Sequence, residues 1–140
     1  MNKNGDIIII EDDLDDQLLL EEAFEELGYE NNRIYLSDGL VALEYLHNQK
    51  PQPFIILSDI NLPKLDGLEL RRKLKQDAEL NLRCIPYLYL TTARNHDMVV
   101  DAYSSSAQGF FVKPAEFEEI KETLKTIIEY WKRCAAPNNF

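Results

Sequence analysis

Four consecutive β-branched residues, Ile7-Ile8-Ile9-Ile10, stand between Asp6 and Glu11, and no other stretch constrains the fold so tightly. Apolar and polar residues in alternation would signal a strand with one wet face. An unbroken apolar run signals a strand covered on both faces, as in a parallel sheet under helices. From Leu14 the period changes: Leu20, Ala23, Phe24 and Leu27 recur at helical spacing, with Glu21, Glu22, Glu25 and Glu26 on the other side. Gly28 then supplies a helix stop.

The same alternation continues along the chain. Arg33 to Leu36 reads as a short second strand, and Ser37-Asp38-Gly39 turns into a helix carrying Leu40, Leu43 and Leu46, closed by Pro51 and Pro53. Phe54-Ile55-Ile56-Leu57 is a third strand that delivers a single carboxylate, Asp59, where the run stops; Pro63 and Gly67 then punctuate the turn. A helix is expected over 68–78, with Leu70 and Leu74 inward and a basic Arg71-Arg72-Lys73 face outward. The fourth strand spans 85–90, with Pro86 near its start where a missing donor does least harm, and it ends at Thr91-Thr92. A helix over 95–104 has Met98, Val99 and Tyr103 as its apolar members. The fifth strand, 109–112, ends at Lys113-Pro114, and the last helix, about 116–133, repeats Ile120, Leu124, Ile127, Ile128 and Trp131.

Five strands alternating with five helices predict one α/β domain over 1–134, followed by a frayed tail at 135–140. The expected architecture is a doubly wound, flavodoxin-like three-layer sandwich with a five-stranded parallel sheet in the order 2-1-3-4-5. The 140 residues suit a single domain with its own core. A formal net charge of -10 argues against direct nucleic-acid binding, which needs a basic face. Cys84 and Cys134 lie far apart in no metal or redox motif, and no apolar run approaches a membrane span, so the expected location is cytoplasmic.

In an open α/β sheet the ligand crevice lies outside the carboxyl ends of the strands. Glu11, Asp12, Asp13, Asp59, Thr91 and Lys113 all fall at such ends. Each has an ordinary explanation alone: an acid after a strand is usually a turn residue, and a lone lysine is usually solvated. Asp13 reads equally well as a helix cap or as part of a metal site. Together they carry a different message. Carboxylates crowded at one rim repel each other unless a cation sits among them, and an oxygen-only set suits a hard ion such as Mg²⁺. A carboxylate can accept a phosphoryl group, while metal, ammonium and hydroxyl neutralise its oxygens; Asp59, Mg²⁺, Lys113 and Thr91 fit those places.

In this combination the sequence resembles the receiver domains of bacterial two-component response regulators, over nearly the whole chain. The matching pieces are Ile10-Glu11-Asp12-Asp13, the stretch Asp59-Ile60-Asn61-Leu62-Pro63-Lys64-Leu65-Asp66-Gly67, Leu90-Thr91, and Lys113-Pro114. The resemblance implies phosphorylation of Asp59 by a partner histidine kinase or phosphotransfer protein. It implies that Glu11, Asp12, Asp59 and the backbone carbonyl of Asn61 surround Mg²⁺, Glu11 through water. It further implies that Lys113 pairs with the phosphoryl group, with a cis bond to Pro114, and that Thr91 and Phe110 move together as the switch. Asp66 belongs to the turn into the next helix. Three positions depart from the family habit: Phe110 replaces a frequent tyrosine, Thr92 a usual alanine, and Ser106 a common glycine.

On this reading the chain is a phosphoacceptor signalling protein rather than an enzyme beyond its own phosphorylation and slow dephosphorylation. With no output segment after the last helix, it is expected to be a stand-alone regulator. It would signal to a downstream protein by changing the surface of the 95–104 helix, the fifth strand and the last helix. That long last helix resembles those of small regulators paired with phytochrome-type or other sensor kinases, some of which dimerise through this face. Tyr130 and Trp131 either belong to the core or, where exposed, are candidates for such an anchor. Rival readings fit less well. An aspartyl phosphatase needs a second acid where Asn61 stands, and a flavodoxin needs a phosphate-cradling loop where three acids follow the first strand. A degenerate receiver acting without phosphorylation is the remaining alternative.

Overall fold

The strand β1 (Ile7–Ile10) is covered on both sides, its four isoleucines all buried. Ile7 and Ile9 face one apolar cluster and Ile8 and Ile10 another, so a single strand feeds two cores. Burying each of these side chains stabilises the fold by roughly 1.5–3 kcal/mol relative to exposure. The computed structural model describes residues 1–48, 53–82 and 84–136. Pro51 and the end of the tail, 137–140, therefore lie outside the described residues.

After β1 come α1 (Leu14–Leu27), β2 (Arg33–Leu36), α2 (Gly39–Asn48), β3 (Ile55–Ser58), α3 (Gly67–Gln76) and α4 (Ala78–Leu82). The chain continues through β4 (Tyr87–Thr91), α5 (His96–Ser104), β5 (Gly109–Val112) and α6 (Phe117–Arg133). The five strands pair in parallel in the order β2-β1-β3-β4-β5. Leu20, Ala23 and Phe24 of α1 and Ile120, Leu124, Ile127 and Ile128 of α6 cover the Ile7/Ile9 face. Residues of α2, α3, α4 and α5 cover the other, together with Tyr87 and Tyr89. Both faces of every inner strand are thus buried, and the carboxyl ends of all strands meet at one rim.

Local signals place the helix ends. Asp13 caps α1, its side chain accepting from Asp16 N at 3.1 Å, and Gly28 closes that helix in the left-handed region at φ 78°. Asp66 caps α3 through Glu69 N at 2.9 Å, in keeping with its place in the turn.

Several expectations are corrected. There are six helices among the described residues, not five. The helix expected to 78 stops at Gln76, and the Asp77 carboxylate accepts from Leu80 N at 3.1 Å, starting the short α4. Strand β4 begins at Tyr87, leaving Pro86 outside the ladder as a donor, while its carbonyl accepts from Ile56 N at 2.9 Å. In α5 the buried residue is Ala102, whereas Tyr103 is exposed.

Arg71 does not join an outward basic face. It is only 9% exposed, with Nε donating to Ser105 O at 3.2 Å and Nη2 to Ser106 O at 2.9 Å. Its guanidinium lies 5.3 Å from the centre of the Tyr87 ring. No cis peptide bond occurs among the described residues, so Lys113–Pro114 is trans, the form an X–Pro bond ordinarily prefers. No helix among the described residues is long and apolar enough to cross a membrane.

Candidate functional site

The rim is assembled from four strand ends and one helix start. At the end of β1, Glu11 is buried and its N–H donates to Leu36 O at 2.9 Å, extending the ladder by one residue. Asp12 follows in the open. At the end of β3, Asp59 N donates to Ile10 O at 2.9 Å, which sets the Asp59 side chain beside those of β1. Glu11, Asp12 and Asp59 each offer an oxygen within 4.8 Å of the others. Asp13 points its carboxylate into the cap of α1 instead, and it is not part of that group.

Asp59 is held by dense local bonding. Its Oδ1 accepts from Ile60 N at 2.7 Å, Asn61 N at 3.3 Å and Thr91 Oγ1 at 2.5 Å. The turn behind it is tight: Gly67 N and Leu62 N both donate to Ile60 O, at 2.8 and 2.9 Å. Pro63 O accepts from Leu65 N at 2.7 Å and Gly39 N at 3.4 Å, tying this loop to the start of α2. Lys64 takes the left-handed conformation there, at φ 67°.

Thr91 is fully buried at the end of β4, and Lys113 N donates to its carbonyl at 2.8 Å. That bond carries the β4–β5 ladder up to Lys113. The Lys113 ammonium bonds to Glu11 Oε1, lies 3.0 Å from Asp16 Oδ2 and stands 3.8 Å from Asp59 Oδ2. Burial pushes the Glu11 carboxyl up to about 7, against the pull of the Lys113 hydrogen bond. Burial works against the charge on Lys113 too, but the bonds to Glu11 and Asp16 outweigh it and raise its pKa above the ordinary value. The rim therefore gathers three potential metal-binding carboxylates, two of which, Glu11 and Asp59, also flank the buried Lys113 ammonium; a hard divalent ion would relieve the repulsion among the three.

Phe110 lies on the same face of the sheet as Tyr89, with ring centres 5.8 Å apart, and is half-buried. Tyr89 and Tyr87 in turn donate their hydroxyls to Gly67 O, at 3.1 and 3.2 Å. A path of packed aromatics thus runs from β5 to the loop behind Asp59. Ser106 adopts φ 64°, the left-handed conformation that explains why glycine would be at home there. His47 and His96 are exposed and take no part in the rim.

Two rim residues escaped the sequence reading. Asp16 reaches Lys113 from the first turn of α1, and Gln17 Nε2 donates to Glu11 O at 2.6 Å. Neither stands at a strand end, so no strand-end argument selects them. Their spacing of one helical turn from the cap is the only signal, and it becomes specific once α1 is known to start at Leu14.

Comparison with known proteins places the chain in a family. Residues 7–125 match the family described as response regulator receiver domain. The chain is 36% identical over 129 residues to the probable methanogenesis regulatory protein FilR2 of Methanothrix harundinacea, a match covering 89% of this chain and 82% of that protein. It is 32% identical over 130 residues to the response regulator Rcp1 of Synechocystis sp., covering 89% and 87%. The Mn(2+)-bound form of Rcp1 superposes with a TM-score of 0.82 over 95% of this chain and 99% of that one, at 29% identity. The phosphorylated cyanobacterial phytochrome response regulator RcpA, 28% identical, gives a TM-score of 0.86 over 96% and 99%. The chain belongs to the response regulator receiver domain family.

Proposed function

We propose that Asp59 accepts a phosphoryl group from a phosphohistidine on a partner histidine kinase or phosphotransfer protein, and that the phosphorylated chain signals to a downstream protein. The observation that carries this reading is the convergence on Asp59 of two further carboxylates, a buried hydroxyl and a buried ammonium. Asp59 Oδ1 is engaged by two backbone N–H groups and Thr91, which leaves Oδ2 as the attacking oxygen. In the transfer Oδ2 forms the new O–P bond, the P–N bond to the imidazole breaks, and the imidazole keeps the electron pair and takes a proton. Lys113, 3.8 Å from Oδ2, then neutralises an oxygen of the transferred group.

Glu11, Asp12 and Asp59, with the carbonyl of Asn61, would hold Mg²⁺, which neutralises charge on the phosphoryl oxygens when bound. That the similar Rcp1 has a Mn(2+)-bound form supports binding of a divalent ion by this chain. Thr91 exchanges its bond to Asp59 for one to the phosphoryl group, and Phe110 follows by turning inward. The face that would report this change comprises α5, β5 and α6, where Val100, Tyr103, Val112 and Tyr130 are exposed. A downstream protein, or a second copy of the chain, would read it there. The likeness to RcpA favours a phytochrome-type kinase as the donor. On this reading residues 1–134 form the receiver and a tail begins at 135, although Ala136 is still buried in the cluster of Ile7 and Ile9.

Incubation with acetyl phosphate and Mg²⁺, followed by intact mass, tests the central step. The wild type should gain one phosphoryl group, and Asp59→Asn should gain none. A wild type that stays unmodified beside a reacting control receiver would favour the phosphorylation-independent alternative.

A further inference from the structure

Lys113 has more negative partners than its proposed task requires. Its side chain is 8% exposed, and its ammonium has three N–H groups to place. One bonds to Glu11, and another to Asp16 Oδ2 at 3.0 Å, whereas Asp59 Oδ2 is farther off at 3.8 Å. Asp16 does not belong to the carboxylate group that could hold a metal. The turn that carries it is held in place: Asp13 caps α1 by accepting from Asp16 N at 3.1 Å, and Gln17 anchors the same turn to Glu11 O at 2.6 Å. An acid in the first helical turn is also favoured by the helix dipole.

We propose that Asp16 is a positioning residue for Lys113, a counter-charge on α1 that competes with the phosphoryl group of Asp59 for the ammonium. The inference rests on the phosphoacceptor reading and adds a regulator to it. When Glu11 turns towards a metal, Asp16 remains as the partner that holds Lys113 on the α1 side of the rim. When Asp59 carries a phosphoryl group, the ammonium must leave or share Asp16 to reach it. Asp16 thereby weakens the pairing of lysine with phosphoryl and sets how firmly the phosphorylated state is held.

Trifluoroberyllate provides a probe, since it bonds to a carboxylate oxygen and presents fluorines where a phosphoryl group presents oxygens. Its affinity in the presence of Mg²⁺ can be titrated by fluorine NMR for wild type, Asp16→Asn, Lys113→Gln and the double variant. Asp16→Asn should bind about two- to fivefold more tightly, the effect expected for a partly exposed ion pair. The gain should vanish in the Lys113→Gln background, and Asp15→Asn, on the exposed side of the same turn, should not reproduce it. Unchanged or weaker binding by Asp16→Asn overturns the proposal. So does a gain that survives without Lys113, because it then reflects charge alone. Should Lys113→Gln fail to fold or bind, a crystal structure of Asp16→Asn decides: the ammonium should lie within hydrogen-bonding distance of Asp59 Oδ2, and an ammonium that stays put overturns the idea. A wild type that takes up no trifluoroberyllate removes the phosphoacceptor reading itself, and this inference with it.

Discussion

Gly67 lies so close to Asp59 that a Cβ on it would stand 2.2 Å from the Asp59 carbonyl oxygen. The same glycine donates its N–H to Ile60 O at 2.8 Å and accepts from the hydroxyls of Tyr87 and Tyr89. The turn that begins α3 is therefore packed directly onto the backbone of the candidate phosphoacceptor. Gly67→Ala must push that contact apart, and the obstacle is backbone rather than a flexible side chain. The expected loss of stability is about 1–3 kcal/mol, as for other overpacked sites. Chemical denaturation measures it, and phosphorylation by acetyl phosphate should slow in parallel as Asp59 moves. A variant with the wild-type midpoint and the wild-type rate would contradict this account.

Arg71 joins α3 to the loop before β5 without any carboxylate partner among the described residues. Its hydrogen bonds go to two carbonyls, with Tyr87 beneath the guanidinium. Arg71→Met keeps the apolar stem but orphans both carbonyls, and should cost about 2–3 kcal/mol. Arg71→Lys retains the charge without the planar fork and should recover only part of the loss. Hydrogen exchange is the sharper measurement: amides from Ser105 to Gln108 should lose protection before those of β1. Uniform loss across the sheet would mean that Arg71 matters as filler and not as a tie.

The case of Arg71 shows what the sequence could and could not reveal. Gly67, Leu70, Arg71 and Leu74 are all buried, and they follow the spacing of one helical face. Position 71 falls on that face by period, but its place in a run of basic residues suggested solvent. The five strands were legible as short runs rich in β-branched and aromatic residues, and Glu11, Asp59, Thr91 and Lys113 because they fall where those runs end. Asp77 hid its role, since one residue both ends α3 and starts α4. Asp16 was out of reach for another reason: its meeting with Lys113 links positions that only the closed sheet brings together.

If Asp12 is a metal ligand as proposed, it offers a way to separate metal binding from folding. It is exposed, unlike Glu11, and no ion pair connects it to Lys113 among the described residues. Asp12→Asn removes one of three crowded carboxylates, so the metal-free variant should be at least as stable as wild type. Mg²⁺ at a hundred times its dissociation constant should stabilise wild type by about 2.7 kcal/mol, and the same concentration should stabilise the variant much less. Thermal unfolding with Mg²⁺ and with a chelator gives both numbers. Equal stabilisation of the two proteins would exclude Asp12 as a ligand.

Acid should expose a different ion pair, between β2 and α1. Arg33 donates to Glu21 from Nε at 2.9 Å and from Nη2 at 2.7 Å, while Tyr35 OH adds a bond to Glu21 Oε1 at 3.0 Å. The Arg33 hydrogen bonds hold the Glu21 carboxyl below its ordinary value of 4.5, against the opposing effect of burial. A carboxyl depressed in the folded state stabilises the fold fully above the unfolded pKa, and that contribution is lost as pH falls through the folded one. Glu21 is 31% exposed, so solvent screening limits the effect to about 1 kcal/mol. Glu21→Gln should therefore unfold at a lower urea concentration than wild type at neutral pH. The two midpoints should converge as pH drops below 4.5, because the wild type then loses what the variant never had. Because the other carboxyls titrate in both proteins, the difference between the curves isolates this one group. Parallel curves from neutral to acid pH would show that the pair is structural but not linked to protons.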